Sequence, residues 1–171
     1  MESFSKKQIK LSGWGNNKFV NCKAHFPKNI EELKILIKNN VIVRGLGRSY
    51  GDSSLQPNST IITSELNKIL YFDKRNGLIE VESGISIKDL IKEIIKNGWF
   101  LPVTPGSKNI TIGGMVASDV HGKNHHKVGS FRNFITDLKI INYKKRIILC
   151  NKKKDSTLFN YTIGGMGLTG L

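Results

Sequence analysis

Thr111–Ser130 reads TIGGMVASDVHGKNHHKVGS, with a Gly-Gly pair, one aspartate, three histidines and two further glycines. Glycine at this density lets a backbone approach a ligand where a Cβ would collide. The histidines beside it offer hydrogen bonds, or charge near neutral pH. The stretch therefore reads as a place built around a bound molecule. His121, between Asp119 and Gly122, is the candidate for ligand contact, and His125 and His126 suit hydrogen bonds to backbone. His121 and His125 have helical metal-pair spacing, but only Asp119 joins them and the glycines disfavour a regular helix. No metal site is expected.

Three more glycine-rich segments lie outward from this one. Upstream, Val41–Asp52 reads VIVRGLGRSYGD, a buried-strand signature running into a loop that holds Gly45, Gly47 and Gly51. Successive backbone N–H groups in such a loop can form a nest for a diphosphate. Arg44 and Arg48 add charge there, and Ser49 and Tyr50 add hydroxyls. The spacing G-x-G-x-x-x-G is not the dinucleotide fingerprint of a doubly wound fold, and G-K-[ST] is missing, so it is not a P-loop either. From this loop alone, phosphate binding and a glycine-rich surface turn remain equal alternatives. Pro105-Gly106-Ser107 precedes Thr111–Ser130, and Gly164–Gly170 follows it. Four glycine segments in one domain suit a long ligand such as a dinucleotide better than a small metabolite.

Between these loops the pattern alternates short helices and strands. Asn29 with Glu32 signals a helix N-terminus, and Leu33–Ile37 carry it to an end near Asn39–Asn40. Ile61-Ile62-Thr63 is a short strand. Ile69–Asp73 and Leu78–Val81 flank Asn76-Gly77, a hairpin signal. Ser86 and Asp89 open a helix through Asn97, with Ile87, Leu90, Ile91, Ile94 and Ile95 on one face and Gly98 as its stop. Gly113–Ser118 suits a tightly packed helix or turn. Leu138–Tyr143 and Arg146–Cys150 form a second hairpin around a lysine-rich turn, and Asp155–Phe159 a short helix. Residues 1–24 show few periodic signals and are expected to be an N-terminal arm, with one domain over 25–171. Ile163–Leu171 is apolar and glycine-rich and reads as the approach to a strand cut off in mid-element.

The chain of 171 residues has a net charge of +14. Lysine travels with asparagine and isoleucine along the whole chain and is not interleaved with aromatics, so nucleic acid is not the expected partner. At most the charge suits peripheral contact with an anionic membrane surface or a polyprenyl-phosphate substrate. No apolar run is long enough to span a membrane. The N-terminus lacks the apolar core of a signal peptide, and Cys22 and Cys150 stand far apart outside metal-ligand spacing. A cytoplasmic protein with reduced thiols is expected.

RGLGRSYGD, PGS, TIGGMVASDVHGKNHH and GGMGLTG together resemble the FAD-binding PCMH-type domain of the vanillyl-alcohol-oxidase flavoenzymes. LSGWG extends the likeness to about Leu11–Leu171, and HGKNHH is its most specific part. The branch that looks most similar is the flavin subunit of a 2′-epimerase making a lipid-linked arabinose. The resemblance implies a two-subdomain α+β fold, with a small βαβ portion, a larger mostly antiparallel sheet with helices, and FAD between them. It places Val43, Arg44, Gly45, Leu46, Gly47, Arg48, Ser49, Tyr50, Gly51, Asp52 and Ser53 around the diphosphate. Gly106, Thr111, Ile112, Gly113, Gly114, Ser118, Asp119, Val120, His121 and Gly122 would line the ADP and flavin path. Leu171 would belong to a closing segment. Arg48 stands where covalent relatives carry the histidine that attaches to flavin, so FAD is expected to be held non-covalently.

The activity implied is oxidation of a sugar CH–OH by hydride transfer to FAD, with Tyr50 and His121 as the flavin-side polar groups. A NAD-dependent reductase would be the partner in the epimerase pair. An aldonolactone or sugar-alcohol oxidase shares the same domain and is the alternative substrate reading. A non-catalytic or split flavin-binding fragment is the alternative from another class, because the family's substrate-facing half has no counterpart in this sequence. Met166, where a polar residue is usual, and Lys144-Lys145, where Asp-Gly is usual, depart from the pattern.

Overall fold

Ser5–Ser12 (β1) and Phe19–Phe26 (β2) pair antiparallel, from Ser5 opposite Phe26 to Ser12 opposite Phe19. The computed structural model describes residues 5–38 and 40–171. Residues 1–4 of the expected arm, and Asn39 at the expected helix end, lie outside the described residues. Over 5–24 the expectation of an arm is corrected to a strand pair. The signal was weak because β1 is an edge strand. Lys6, Lys7 and Lys10 are exposed, and within the strand only Ile9, Leu11 and Ser12 are partly covered. Lysines on an edge also discourage pairing with a second chain.

Ile30–Leu36 (α1) connects β2 to Ile42–Arg44 (β3), and Thr60–Ile62 (β4) inserts between β2 and β3, parallel to both. The sheet order is β1-β2-β4-β3. The Asn29 side chain accepts from the Glu32 N–H at 2.9 Å, and the Glu32 carboxylate accepts from the Lys28 N–H at 2.8 Å. The helix stops at Leu36, earlier than expected, with Ile37 already extended. Val43 is only partly covered, because β3 is the other edge of the sheet. The central residues Thr60 and Ile61 of β4 are fully buried.

Ile69–Asp73 (β5) and Leu78–Val81 (β6) form the expected hairpin. Gly77 sits at φ +69°, and a Cβ there would strike the Trp99 ring. The Trp99 indole N–H donates to the Lys74 carbonyl at 2.7 Å, so this ring caps the turn. Ile87–Ile94 (α2) is capped by Ser86, whose hydroxyl accepts from the Asp89 N–H at 3.0 Å. A tighter turn over Ile95–Asn97 follows and ends at Gly98. That change of period rotates Ile95 out of the apolar face, and it is exposed.

Ile112–Ser118 (α3), His125–Val128 (α4), Asp137–Ile141 (β7), Ile147–Asn151 (β8) and Ser156–Thr162 (α5) complete the chain. The fold is α+β, as expected. Besides the antiparallel β1–β2 pair of the first sheet, its antiparallel part consists of two separate hairpins, β5–β6 and β7–β8. Ile140 packs with Ile87, Met115, Cys150 and Phe159, whereas Ile141 packs with Leu33, Leu36, Ile61 and Leu66. Successive residues of a strand point to opposite faces. Strand β7 thereby joins the βαβ portion to the rest, and each buried Ile or Leu contributes roughly 1.5–3 kcal/mol.

Candidate functional site

Strand β3 ends at Arg44 and the chain enters the first glycine loop. Gly47 and Gly51 take φ of +68° and +59°, a left-handed region that disfavours residues with a Cβ. A Cβ on Gly45 would strike the Thr111 side chain, so the first loop lies directly against the start of Thr111–Ser130. The Arg44 guanidinium lies beneath Gly47. It donates to the Ser12 carbonyl at 2.8 Å and to the Ser54 hydroxyl at 3.1 Å. Burial pulls its pKa below the ordinary arginine value; Cys22 opposes this and Arg48 adds to it. Ser49 donates to Ser54 at 2.8 Å, and Ser53 donates to the Tyr50 carbonyl at 3.1 Å. Leu46 and Asp52 are exposed, and the Tyr50 ring is 80% exposed.

The turn between β1 and β2 docks on this loop. Gly13 abuts the Gly51 carbonyl so closely that a Cβ could not fit. The Trp14 N–H donates to the Ser49 carbonyl at 2.8 Å. The Arg48 guanidinium lies 4.7 Å from the Trp14 ring centre, and its Nε–H donates to the Asn109 carbonyl at 3.2 Å. Gly13, Gly15, Asn16, Asn17, Lys18, Gly51 and Asp52 line a cleft of about 240 Å³ beside it. Sequence reasoning noted LSGWG only as part of a likeness and missed Trp14. The signal available was an aromatic flanked by two glycines.

In the second segment a Cβ on Gly106 would meet nothing within 4 Å. Thr111 caps α3, its hydroxyl accepting from the Gly114 N–H at 3.1 Å. The Ile112 and Gly113 N–H groups donate to the carbonyls of Ile85 and Ser83, at 2.9 and 2.8 Å. The α3 N-terminus is thus spent on the protein itself. Gly113 and Gly114 allow close approach rather than offering donors.

At the other end of α3, Ser118 is followed by Asp119 at φ +42°. The Asp119 carboxylate accepts from the Arg132 N–H at 3.0 Å and from Arg132 Nε at 3.2 Å. Arg132 Nη2 also donates to the Ile163 carbonyl at 2.7 Å, so this buckle ties α3 to the end of α5. The Val120 carbonyl accepts from the Phe131 N–H, and His121 bridges to Ser130. His121 is exposed. Its Nδ1 and that of His125 lie 3.4 and 3.3 Å from the Gly122 carbonyl, with ring centres 5.0 Å apart. Gly122 is buried against Thr104, linking the second and third segments. Among the described residues no group of three or more His, Cys, Asp or Glu could hold a metal.

The last glycine segment docks on the C-terminal carbonyls of α3. The Gly164 N–H donates to Val116 and the Met166 N–H to Ala117, both at 2.9 Å. Leu171 exchanges two backbone hydrogen bonds with Ile141 and packs against the second core cluster. The four segments are therefore consecutive neighbours in space. No hydrogen bond or ring contact joins Tyr50 to His121 among the described residues.

This arrangement suits a long anionic ligand on two observations. At Gly51 and Gly106 a side-chain Cβ would meet no protein atom within 4 Å, so both glycines face open space. Among the described residues neither Arg44 nor Arg48 has a carboxylate partner, since the ion pairs involve Lys34, Lys96, Arg132 and Lys139.

Comparison with known proteins identifies the ligand class. The profile of the FAD binding domain family matches residues 25–151. Decaprenylphosphoryl-beta-D-ribose oxidase of Mycolicibacterium smegmatis is 40% identical over 77% of this chain and 29% of its own length. D-lactate dehydrogenase of Anaerostipes hadrus is 30% identical over 65% of this chain and 24% of its own. L-gulonolactone oxidase of Bos taurus is 23% identical over 96% of this chain and 39% of its own. The chain thus spans less than two fifths of the length of each of these relatives.

Proposed function

This chain belongs to the FAD binding domain family, and on that footing we propose that it is the cofactor-holding part of an oxidoreductase acting on a sugar CH–OH group. The 2-hydroxyl of a lipid-linked pentose is the substrate group we favour. The observation that carries this choice is the 40% identity to a protein named as a decaprenylphosphoryl-ribose oxidase. FAD is the cofactor, and when bound it supplies the hydride acceptor.

In this reading the backbone of Val43–Ser53 holds the diphosphate, with the Arg44 charge beneath it. Gly106 leaves room for the cofactor. Thr111–Gly114 and Ser118–Gly122 form the wall beside it, held rigid through Asp119 and Arg132. Tyr50 and His121 are the flavin-side polar groups. Arg48 offers no nucleophile of the kind a histidine supplies, so FAD is held without a covalent bond. The domain extends over 25–171, with the β1–β2 hairpin docked on its first loop.

Purified protein tests this directly. Flavin absorbance, with FAD released by denaturation, is expected; protein free of flavin that takes up none when FAD is added would sink the reading. Flavin that stays with acid-precipitated protein would overturn the non-covalent assignment. Anaerobic bleaching of the flavin in the intact gene product by a polyprenylphosphoryl ribose tests the substrate. A lactone oxidase is the second reading, favoured by the L-gulonolactone oxidase likeness across 96% of the chain. Bleaching by free lactones alone would select it. A NAD-dependent reductase would complete an epimerase pair, and mixing the two enzymes with NADH should return the ketone to the epimeric alcohol.

A further inference from the structure

One face of the β1–β2 hairpin is open and carries charge of a single sign. The pairing register puts Lys6, Gln8 and Lys10 of β1 on that face with Phe19, Asn21, Lys23 and His25 of β2. The other face holds Cys22 and Ala24, both fully buried. On the open face His25 is buried and Lys23 partly covered, while Lys6, Gln8, Lys10, Phe19 and Asn21 are exposed. Between Ser5 and Ile30 the chain has six lysines and no aspartate, glutamate or arginine. Lys6, Lys10 and Lys18 take part in none of the ion pairs among the described residues. The first carboxylate beyond, on Glu31, is bonded to Lys34 at 2.8 Å. One end of the hairpin is aromatic: Phe19 is 53% exposed, and Trp14 in the turn 49%. Lys10 Nζ lies 5.3 Å from the Phe19 ring centre. All of β1 and most of β2 precede residues 25–151, the stretch that matches the FAD binding domain family.

We propose that this face of the hairpin docks on an anionic lipid bilayer. Lysines near a surface of anionic headgroups are attracted to it over about a Debye length. Binding at an interface also scales with the apolar area buried there. Phe19 supplies that area, and Trp14, with an apolar body and a polar N–H, suits the headgroup level. Nucleic acid fits this face less well. Single strands stack their bases on open aromatic faces, and here a cation already covers a face of each ring. The hairpin also contributes no arginine, whose fork favours two-pronged phosphate contact. The docking surface goes beyond the FAD reading and does not rest on it.

Co-sedimentation of the full chain with vesicles tests this, using phosphatidylcholine alone and phosphatidylcholine mixed with phosphatidylglycerol. Binding should require the anionic lipid and weaken as salt rises. Binding to both kinds of vesicle alike, or to neither, overturns the proposal. Lys6→Gln together with Lys10→Gln should weaken binding about tenfold or more. Lys152→Gln together with Lys153→Gln removes the same charge from an exposed bend elsewhere and should weaken it far less. Equal losses in the two double variants would show that net charge, not this face, attracts the bilayer. Phe19→Ala should lower the binding that persists at high salt, and Phe19→Trp should retain it. Phe19→Ala protein that binds as tightly as the parent overturns the part given to the ring. With folding verified by circular dichroism, FAD affinity should be unchanged in the Lys6→Gln, Lys10→Gln protein. A parallel loss of FAD affinity would trace the effect to the cofactor site and overturn the docking role. A single-stranded oligonucleotide bound more tightly than the anionic vesicles, and released by the same double variant, would replace the bilayer with nucleic acid.

Discussion

Asp119 and Arg132 are joined by two hydrogen bonds, from the arginine's own N–H at 3.0 Å and from its Nε at 3.2 Å. The aspartate ends α3 in a left-handed conformation, and the arginine reaches on to Asn160 and Ile163. A residue expected from the sequence on the cofactor path is therefore engaged by the scaffold, tying α3 to the end of α5. Asp119→Ala should cost about 1–3 kcal/mol, from the bonds lost and because alanine lacks aspartate's tolerance of the left-handed region. Asp119→Asn, which tolerates that backbone and keeps an acceptor, should cost less. Denaturant midpoints of the two variants check the order; equal losses would show that the charge alone matters.

Two glycines in the loops should respond oppositely to the same methyl group. Gly13→Ala drives a Cβ into the Gly51 carbonyl and should destabilise by about 1–3 kcal/mol. Gly106→Ala meets no atom within 4 Å and should leave stability within about 0.5 kcal/mol. If FAD occupies that space, Gly106→Ala should nevertheless weaken FAD binding. Thermal melts with and without FAD separate the two effects.

Lys145 lies in the β7–β8 turn at φ +62°. Lysine gains nothing there that offsets a left-handed backbone, and glycine is free of the penalty. Lys145→Gly should stabilise the protein by about 0.5–1 kcal/mol, despite the greater freedom of glycine in the unfolded chain. A lower melting temperature would show that the lysine side chain contributes a contact of its own.

Cys22 and Cys150 are free and buried. Burial raises the Cys150 thiol above its ordinary value, and Asp155 and Asp137 add to the rise. The neutral thiol is thus favoured in the folded state. Its stabilising effect is complete below the ordinary thiol pKa and is lost as pH rises through the raised value. Native protein should therefore resist thiol alkylation at mildly alkaline pH, and both cysteines should react once it is denatured. Melting temperature should fall on the alkaline side, less steeply in Cys150→Ser.

Much of the fold was legible wherever a local pattern carried its own reason. Asn76-Gly77 marked its hairpin because the turn needs a left-handed backbone at glycine. Ser86 and Asp89 marked the start of α2 because a capping side chain acts within one turn. The strand pair over 5–24 was missed: β1, an edge strand lined with lysines, offers only Ile9 and Leu11 in alternation, although Val20, Cys22, Ala24 and Phe26 of β2 do alternate. Both hairpins were legible from their turns; whether they join one sheet was not, because pairing between distant strands leaves no periodic mark.

At the site, the glycine segments and both loop arginines stood out from composition and spacing alone. Their chemistry is local: a missing Cβ and a fixed charge mean the same in any fold. Thr111–Ser130 therefore reads as a binding wall by residue type alone. Its internal division of labour was not local. Whether Gly113 offers its N–H to a ligand depends on Ser83, far back along the chain, which already accepts it. Whether Asp119 faces ligand or scaffold depends on Arg132, and whether Arg48 is steady or loose depends on Trp14. Residue type and spacing record what a side chain can do; which of those capacities is already spent is set by partners that only folding brings within hydrogen-bond distance.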